Sequence, residues 1–185
     1  MAAKLYLGGA RSGKSTYAEQ QALRLLEEGK CIHPQTRLHY VATAEPFDDE
    51  MKERISHHQA RRDEQWINHE CPVELPKALL EFNQYDVVLV DCLTVWLNNV
   101  IHYLGDNADS AQIKLKLNEL ADALARTQAT VLCVSNEVGL GIVPMNALTR
   151  LYVDHSGWMN QAVAKVADQV DFVVAGLAMN LKGGQ

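Results

Sequence analysis

Short apolar runs alternate along this chain with longer amphipathic ones. The runs "KLYL" (Lys4–Leu7), "LHYVATA" (Leu38–Ala44), "DVVLVD" (Asp86–Asp91), "ATVLCVSN" (Ala129–Asn136) and "DFVVAG" (Asp171–Gly176) have the length and residue types of strands. Between them, Lys14–Glu28, Asp49–Asp63, Thr94–Tyr103, Ser110–Thr127 and Asn146–Asp168 carry helical patterns. Such alternation predicts βαβ units around a mostly parallel sheet. "VVLV" and "VLCV" are apolar at every position, as central strands covered on both faces must be. "GKCIHPQTR" after the first helix and "GDNADS" at Gly105–Ser110 carry turn-forming residues and predict loops. No internal repeat or low-complexity tract interrupts the order.

Composition narrows the class. The 185 residues suit a single domain with a real core, so residues 1–185 are expected to form one catalytic unit. With 17 Lys plus Arg against 23 Asp plus Glu, the net charge of −6 argues against the broad basic footprint of nonspecific nucleic-acid binding. A polyanionic ligand has to be met locally. Cys31, Cys71, Cys92 and Cys133 are widely spaced without a C-x-x-C, so they predict reduced thiols of a cytoplasmic protein, not a zinc site or a disulfide framework. No apolar run approaches the roughly 20 residues of a membrane span. "MAAKLYLGG" leads straight into structure without the form of a signal peptide.

The sharpest chemical signal is "GGARSGKS", Gly8–Ser15, which satisfies G-x-x-x-x-G-K-[ST] between a predicted strand and a predicted helix. Glycines let backbone N–H groups of Gly8, Gly9, Ala10, Arg11, Ser12 and Gly13 wrap phosphates, and the helix N-terminus adds positive potential. Lys14 reaches the outer phosphates, and the Ser15 hydroxyl is a ligand for Mg²⁺. Asp91 ends the apolar strand "VVLVD", where an acid can hold that metal or its water. Together they predict a nucleoside triphosphate bound with magnesium. The D-x-x-G and N-K-x-D signatures of a regulatory GTPase are missing, because the strands end in "DCLT" and "SNEVG".

His57 and His58 stand side by side in the charged stretch "DDEMKERISHHQARRDEQW". At 100° per residue, Met51, Ile55, His58 and Arg62 share one stripe, whereas His57 lies on another flank with Arg54 at i−3 and Arg61 at i+4. His58 therefore reads as a packing residue. Guanidinium groups around His57 would disfavour its protonation and attract an anion, and a neutral imidazole is a competent nucleophile toward phosphorus. The same spacing also suits a solvated surface helix with incidental histidines, and geometry along the sequence does not separate the two.

The P-loop taken with "YVATAEPFDDEMKERISHHQARR", "LVDCLTVWLNN" and "SNEVGLGIVPMNALTRLYVDHSGWMNQAVAKVADQV" resembles the bifunctional adenosylcobinamide kinase and adenosylcobinamide-phosphate guanylyltransferase family of cobalamin biosynthesis, from Lys4 to about Lys182. The resemblance implies a RecA-like P-loop α/β fold and two reactions. In the first, ATP or GTP phosphorylates the aminopropanol hydroxyl of adenosylcobinamide. In the second, GTP transfers GMP to the new phosphate, yielding adenosylcobinamide-GDP and pyrophosphate. It further implies that the guanylyl group passes through His57, and that Gly8–Ser15, Ala42, Thr43, Ala44, Gln59, Ala60, Arg61, Arg62, Glu70 and Asp91 contact nucleotide, in a homotrimer. A plain P-loop small-molecule kinase and a noncatalytic nucleotide-dependent subunit are the competing readings. The chain departs from the family pattern where Val153 and Trp158 replace frequent arginines, in a segment that still keeps Arg150, Asp154, Gly157 and Asn160. An apolar pair offers no charge-assisted donors, so this segment is expected to pack at a subunit contact or shape the corrinoid pocket.

Overall fold

The computed structural model describes residues 2–45, 64–105 and 108–183. Its elements run β1 (Ala2–Gly8), α1 (Lys14–Ile32), β2 (Arg37–Ala42), β3 (Trp66–Glu70), α2 (Leu75–Leu79), β4 (Asp86–Asp91), α3 (Leu93–Leu104), α4 (Ser110–Arg126), β5 (Thr130–Asn136), α5 (Ala147–Val166), β6 (Gln169–Val174) and β7 (Leu177–Lys182). The seven strands form one sheet in the order β3-β2-β4-β5-β1-β6-β7. Every neighbouring pair is parallel except the final β6–β7 pair.

Alternating side chains of the central strands serve two separate cores. Val88 and Val90 of β4 and Val131 and Cys133 of β5 pack under α2 to α5 with Leu93, Trp96, Leu120 and Val163. Val87, Leu89, Leu132 and Val134 point to the opposite face, where α1 lays down Ala18, Ala22 and Leu26. Burial on both faces is why these two strands show no polar alternation. Asp109 starts α4 by accepting from Gln112 N at 2.7 Å, and Asn146 starts α5 by accepting from Thr149 N at 3.1 Å.

Four features depart from the expected elements. Helix α1 runs four residues past Glu28, through "GKCI", into the segment expected to be a loop. A glycine inside a helix is disfavoured by about 1 kcal/mol, but a Cβ at Gly29 would sit 2.8 Å from Thr36 Cγ2, so close packing of the following turn requires it there. Strand β3 escaped notice because "WINHE" is a short edge strand in which Trp66 alone is buried. It is held to β2 partly through a partly buried chain in which His69 Nε2 meets His39 Nδ1 at 3.0 Å and His39 Nε2 meets Asp86 Oδ1 at 3.2 Å. The five-residue α2 was likewise not anticipated; Pro stands in its first turn. Strand β7, exposed along its length, pairs back across a two-residue turn, Ala175–Gly176, with φ of 52° and 78°. Positive φ at both central residues is what a tight hairpin needs. The helix expected over Asp49–Asp63 lies outside the described residues.

Trp96 fixes α3 beneath the end of β4: its ring is fully buried and its indole N–H donates to Val73 O at 2.8 Å. Trp96→Ala is expected to cost about 3–5 kcal/mol of stability, from the cavity and the orphaned carbonyl together. A lower urea midpoint at unchanged m-value is the readout, and a loss below about 1 kcal/mol would mean that the site collapses without penalty.

Candidate functional site

Because β1, β2, β4 and β5 are mutually parallel, their carboxyl ends open on one edge of the sheet, the side on which such sheets bind ligands. There β1 turns into the P-loop. Gly8 admits no side chain, since a Cβ would lie 2.5 Å from both Ser12 Oγ and Val173 O. Gly13 caps α1 at φ 93° without any side-chain acceptor. The first helical bond runs from Tyr17 N to Gly13 O at 2.9 Å, so the amides of the preceding first turn lie outside the helical ladder. The loop is buttressed by the β6–β7 turn: Gly176 N donates to Ser12 O at 2.8 Å, and a Cβ at Gly13 would approach Gly176 Cα to 3.0 Å. Lys14, largely buried, donates from Nζ to Gly9 O at 3.2 Å. Ser15 follows it, half-buried, in the first turn of α1.

Asp91 is half-buried at the carboxyl end of β4, two strands from the P-loop strand. The following Asp91–Cys92 peptide is cis. Thr43, fully buried, holds this turn: its hydroxyl donates to Cys92 O at 2.8 Å and accepts from Cys92 N at 2.9 Å. Asn99 Nδ2 in turn donates to Thr43 O at 2.7 Å and Pro72 O at 3.1 Å. Burial pushes the Cys92 thiol pKa up, the Asp91 carboxylate pushes it further, and the Lys14 ammonium opposes them. The thiol therefore stays protonated.

A second polar set lies behind the mouth. Asn136 Nδ2 donates to Thr94 Oγ1 at 2.8 Å, Tyr152 Oη donates to Thr94 O at 3.2 Å, and Asn160 Nδ2 donates to Asn136 O at 3.2 Å. Ser135 Oγ donates to Asn160 Oδ1 at 2.6 Å. Burial is the main cause that raises the Tyr152 phenol to about 12, so it serves as a neutral donor. Beyond Asn136, the loop exposes Leu140, Ile142, Val143 and Met145 by 82, 97, 75 and 97 %. Arg150 braces that loop, donating to Pro144 O at 3.0 Å and Met145 O at 2.6 Å.

The structure thus brings Gly8–Ser15 and Asp91 to one edge, with Ala42 at the end of neighbouring β2 in register with Asp91 and Thr43 and Ala44 just after it. Thr43 presents itself as a brace, its hydroxyl and carbonyl both engaged. Glu70 is exposed at the end of β3, opposite Ala42. His57, His58, Gln59, Ala60, Arg61 and Arg62 lie outside the described residues. Of the two departures from the family pattern, Val153 is half-buried on α5. Trp158 packs edge-on against His155 at 4.8 Å and carries Lys114 Nζ 4.1 Å from its ring centroid. Sequence reasoning missed Thr94, Asn99 and the Gly176 turn, whose roles depend on partners 27 to 164 positions away in the chain.

Ser15 and Asp91 offer a hydroxyl and a carboxylate, hard oxygen donors of the kind Mg²⁺ takes while keeping several waters. Among the described residues no group of three or more His, Cys, Asp or Glu side chains is arranged to hold a metal. This donor set fits a hydrated ion shared with nucleotide phosphates, not a protein-enclosed one.

Residues 4–181 match the profile of a family described as cobinamide kinase / cobinamide phosphate guanyltransferase. The chain belongs to that family. It is 43 % identical over 180 residues to the bifunctional adenosylcobalamin biosynthesis protein CobP of Pseudomonas aeruginosa, covering 97 % of this chain and 96 % of the relative. It is 36 % identical over 188 residues to the bifunctional adenosylcobalamin biosynthesis protein CobU of Salmonella typhimurium, covering 96 % of this chain and 98 % of that one. Among solved structures, a KaiC-like protein of Pyrococcus horikoshii superposes with a TM-score of 0.50 at 12 % identity, over 92 % of this chain and 70 % of its own, a likeness of fold alone. The mostly parallel P-loop α/β fold expected from the sequence is the fold found. The chain is a bifunctional enzyme of adenosylcobalamin biosynthesis, cobinamide kinase and cobinamide-phosphate guanylyltransferase. No helix among the described residues is long and apolar enough to cross a membrane.

The Thr43 brace yields a test. Thr43→Val keeps the shape but leaves Cys92 N–H and C=O without their partner, so stability is expected to fall by about 1–3 kcal/mol. Thr43→Ser, which keeps the hydroxyl, is expected to lose less. Denaturant melts of the two variants check it, and equal losses would count against the hydroxyl's role.

Proposed function

We propose that one P-loop serves both reactions, holding the triphosphate of ATP or GTP for the kinase step and that of GTP for guanylyl transfer. The family match over residues 4–181 carries this reading, supported by the phosphate loop and Asp91 standing at the carboxyl edge of one parallel sheet. Ser15 and Asp91 would hold Mg²⁺, which supplies charge neutralisation between the phosphates when bound. Lys14 swings from the Gly9 carbonyl to the outer phosphates. Glycine amides and the start of α1 orient the remaining oxygens.

In the kinase step the acceptor is the aminopropanol hydroxyl of adenosylcobinamide, and positioning with charge stabilisation carries most of the barrier. In the transfer step the His57 ring nitrogen attacks the α-phosphorus of GTP, the bond to the β-phosphate breaks, and pyrophosphate leaves. An oxygen of adenosylcobinamide phosphate then attacks the phosphoramidate. The P–N bond breaks, giving adenosylcobinamide-GDP and free His57. Ala42, Ala44, Gln59 to Arg62 and Glu70 would complete the nucleotide site as the family resemblance implies. The enzyme would act in the cytoplasm as one catalytic unit per chain within a homotrimer. The exposed Leu140 to Met145 surface, together with Val153 and Trp158, is suited to a subunit contact or to the corrinoid.

Intact mass after incubation with GTP and Mg²⁺ tests the covalent step. The wild-type chain is expected to gain one GMP, in an acid-labile and alkali-stable linkage, with release of pyrophosphate. His57→Asn should abolish the adduct while still phosphorylating adenosylcobinamide, and His58→Asn should retain it. Guanylylation by the His57 variant is expected to drop by orders of magnitude, each tenfold being about 1.36 kcal/mol of transition-state stabilisation. A labelled His57→Asn chain, or loss of label in His58→Asn alone, would remove His57 from the mechanism.

A further inference from the structure

We propose that Glu137 is the general base of the kinase step, its carboxylate accepting the proton of the acceptor hydroxyl as that oxygen attacks the γ-phosphorus. The inference rests on the kinase reading of the P-loop given above. Strand β5 lies directly beside β1, with Asn136 in register with Gly8. Glu137 is the next residue, and its backbone N–H donates to Gly8 O at 3.1 Å. The start of the P-loop and the origin of this side chain are therefore tied together.

The carboxylate is also held. Its Oε1 accepts from Gly139 N at 2.7 Å, in a turn where a Cβ on Gly139 would lie 3.0 Å from that same oxygen. One oxygen fixes the orientation, and Oε2 is left to take a proton. Glu137 is half-buried, so a substrate arriving from solvent can reach it.

Other described carboxylates at this edge are worse placed. Asp91 is claimed by the metal role. Glu45 accepts from Tyr103 Oη at 3.0 and 3.1 Å through its two oxygens. Glu70 ends β3, four strands from β1 in the sheet order. At about 4.8 Å per strand that is roughly 19 Å, far beyond the reach of a proton transfer at the P-loop.

The step balances without another reagent. The hydroxyl oxygen forms a bond to the γ-phosphorus, and the bond from that phosphorus to the bridging oxygen breaks with its electron pair leaving on the nucleoside diphosphate. The hydroxyl proton passes to Glu137 Oε2 and then to water. Guanylyl transfer has no such need, because its nucleophiles are an imidazole and an already ionised phosphate.

Glu137→Gln in the full chain keeps an oxygen for the Gly139 turn but cannot take the proton. With adenosylcobinamide and ATP or GTP, its kinase kcat is expected to fall about 100-fold or more with KM values within about threefold. Single-turnover labelling of the chain by GTP, read by intact mass, is expected to change less than about threefold, since no hydroxyl is deprotonated there. Glu137→Asp, which retains an ionisable group, is expected to restore the low-pH decline of kinase kcat that Gln abolishes. A Glu137→Gln kcat within about threefold of wild type, a parallel fall of kinase, labelling and thermal midpoint, or an Asp variant with the pH profile of Gln would each overturn the proposal. Lys14→Ala, assayed alongside, separates the two levels: it loses both activities if the P-loop reading holds, and if it keeps the kinase, that reading fails before Glu137 is at issue.

Discussion

Gly8 is the point at which the sheet becomes a binding loop, and the chain there has no room for a side chain. A Cβ would collide with the carbonyl of Val173 on β6 and with the hydroxyl of Ser12 inside the loop itself. The closeness is useful on three sides. It lets Gly8 O receive the amide of Glu137 from β5, lets the loop fold back over the end of its own strand, and brings the Ala175–Gly176 turn near enough for Gly176 N to donate to Ser12 O. The loop, the end of β5 and the hairpin thus share one backbone contact region. A larger residue at Gly8 would push all three apart at once.

Behind that region the interior holds several polar side chains. Thr43, Thr94, Asn99, Ser135 and Asn160 are buried, and each is joined to backbone or to another side chain across elements. Buried polar groups are tolerated only when paired, and a paired set has few alternative arrangements. The cost of breaking any one link keeps the end of β4, the start of α3 and the end of β5 in fixed relation. Cys92, in the middle of them, contributes a thiol that burial keeps neutral. Its place is structural.

The loop that follows β5 differs in character. From Gly139 to Met145 the chain offers apolar side chains to solvent, with Arg150 holding two carbonyls of the loop and no regular structure within it. A phosphate-binding loop made of backbone amides beside a strip of exposed aliphatic side chains is a surface of two chemistries. It accords with a reaction that joins a nucleotide to a large, largely organic acceptor.

The sequence by itself determined the parallel sheet, its central strands and the phosphate loop, because each of these is written in local terms. A short, β-branched apolar run bounded by turn residues suits a strand covered on both faces, and G-x-x-x-x-G-K-S between strand and helix suits a phosphate loop. The long family motifs carried the two activities, since their residues occur together over nearly the whole chain. What lacked a local signal was left to the tertiary structure. "WINHE" becomes a strand only because β2 has a free edge, and "LAMNLK" only because Ala175 and Gly176 reverse the chain onto β6. Gly29 stays helical because Thr36 fills the space that its missing side chain leaves. Thr43 reads as one residue of "ATA" in sequence, yet it grips a peptide 49 positions away. Hydrogen bonds between distant residues and the room around a glycine depend on how strands are ordered across the sheet, and no short stretch of sequence contains that order.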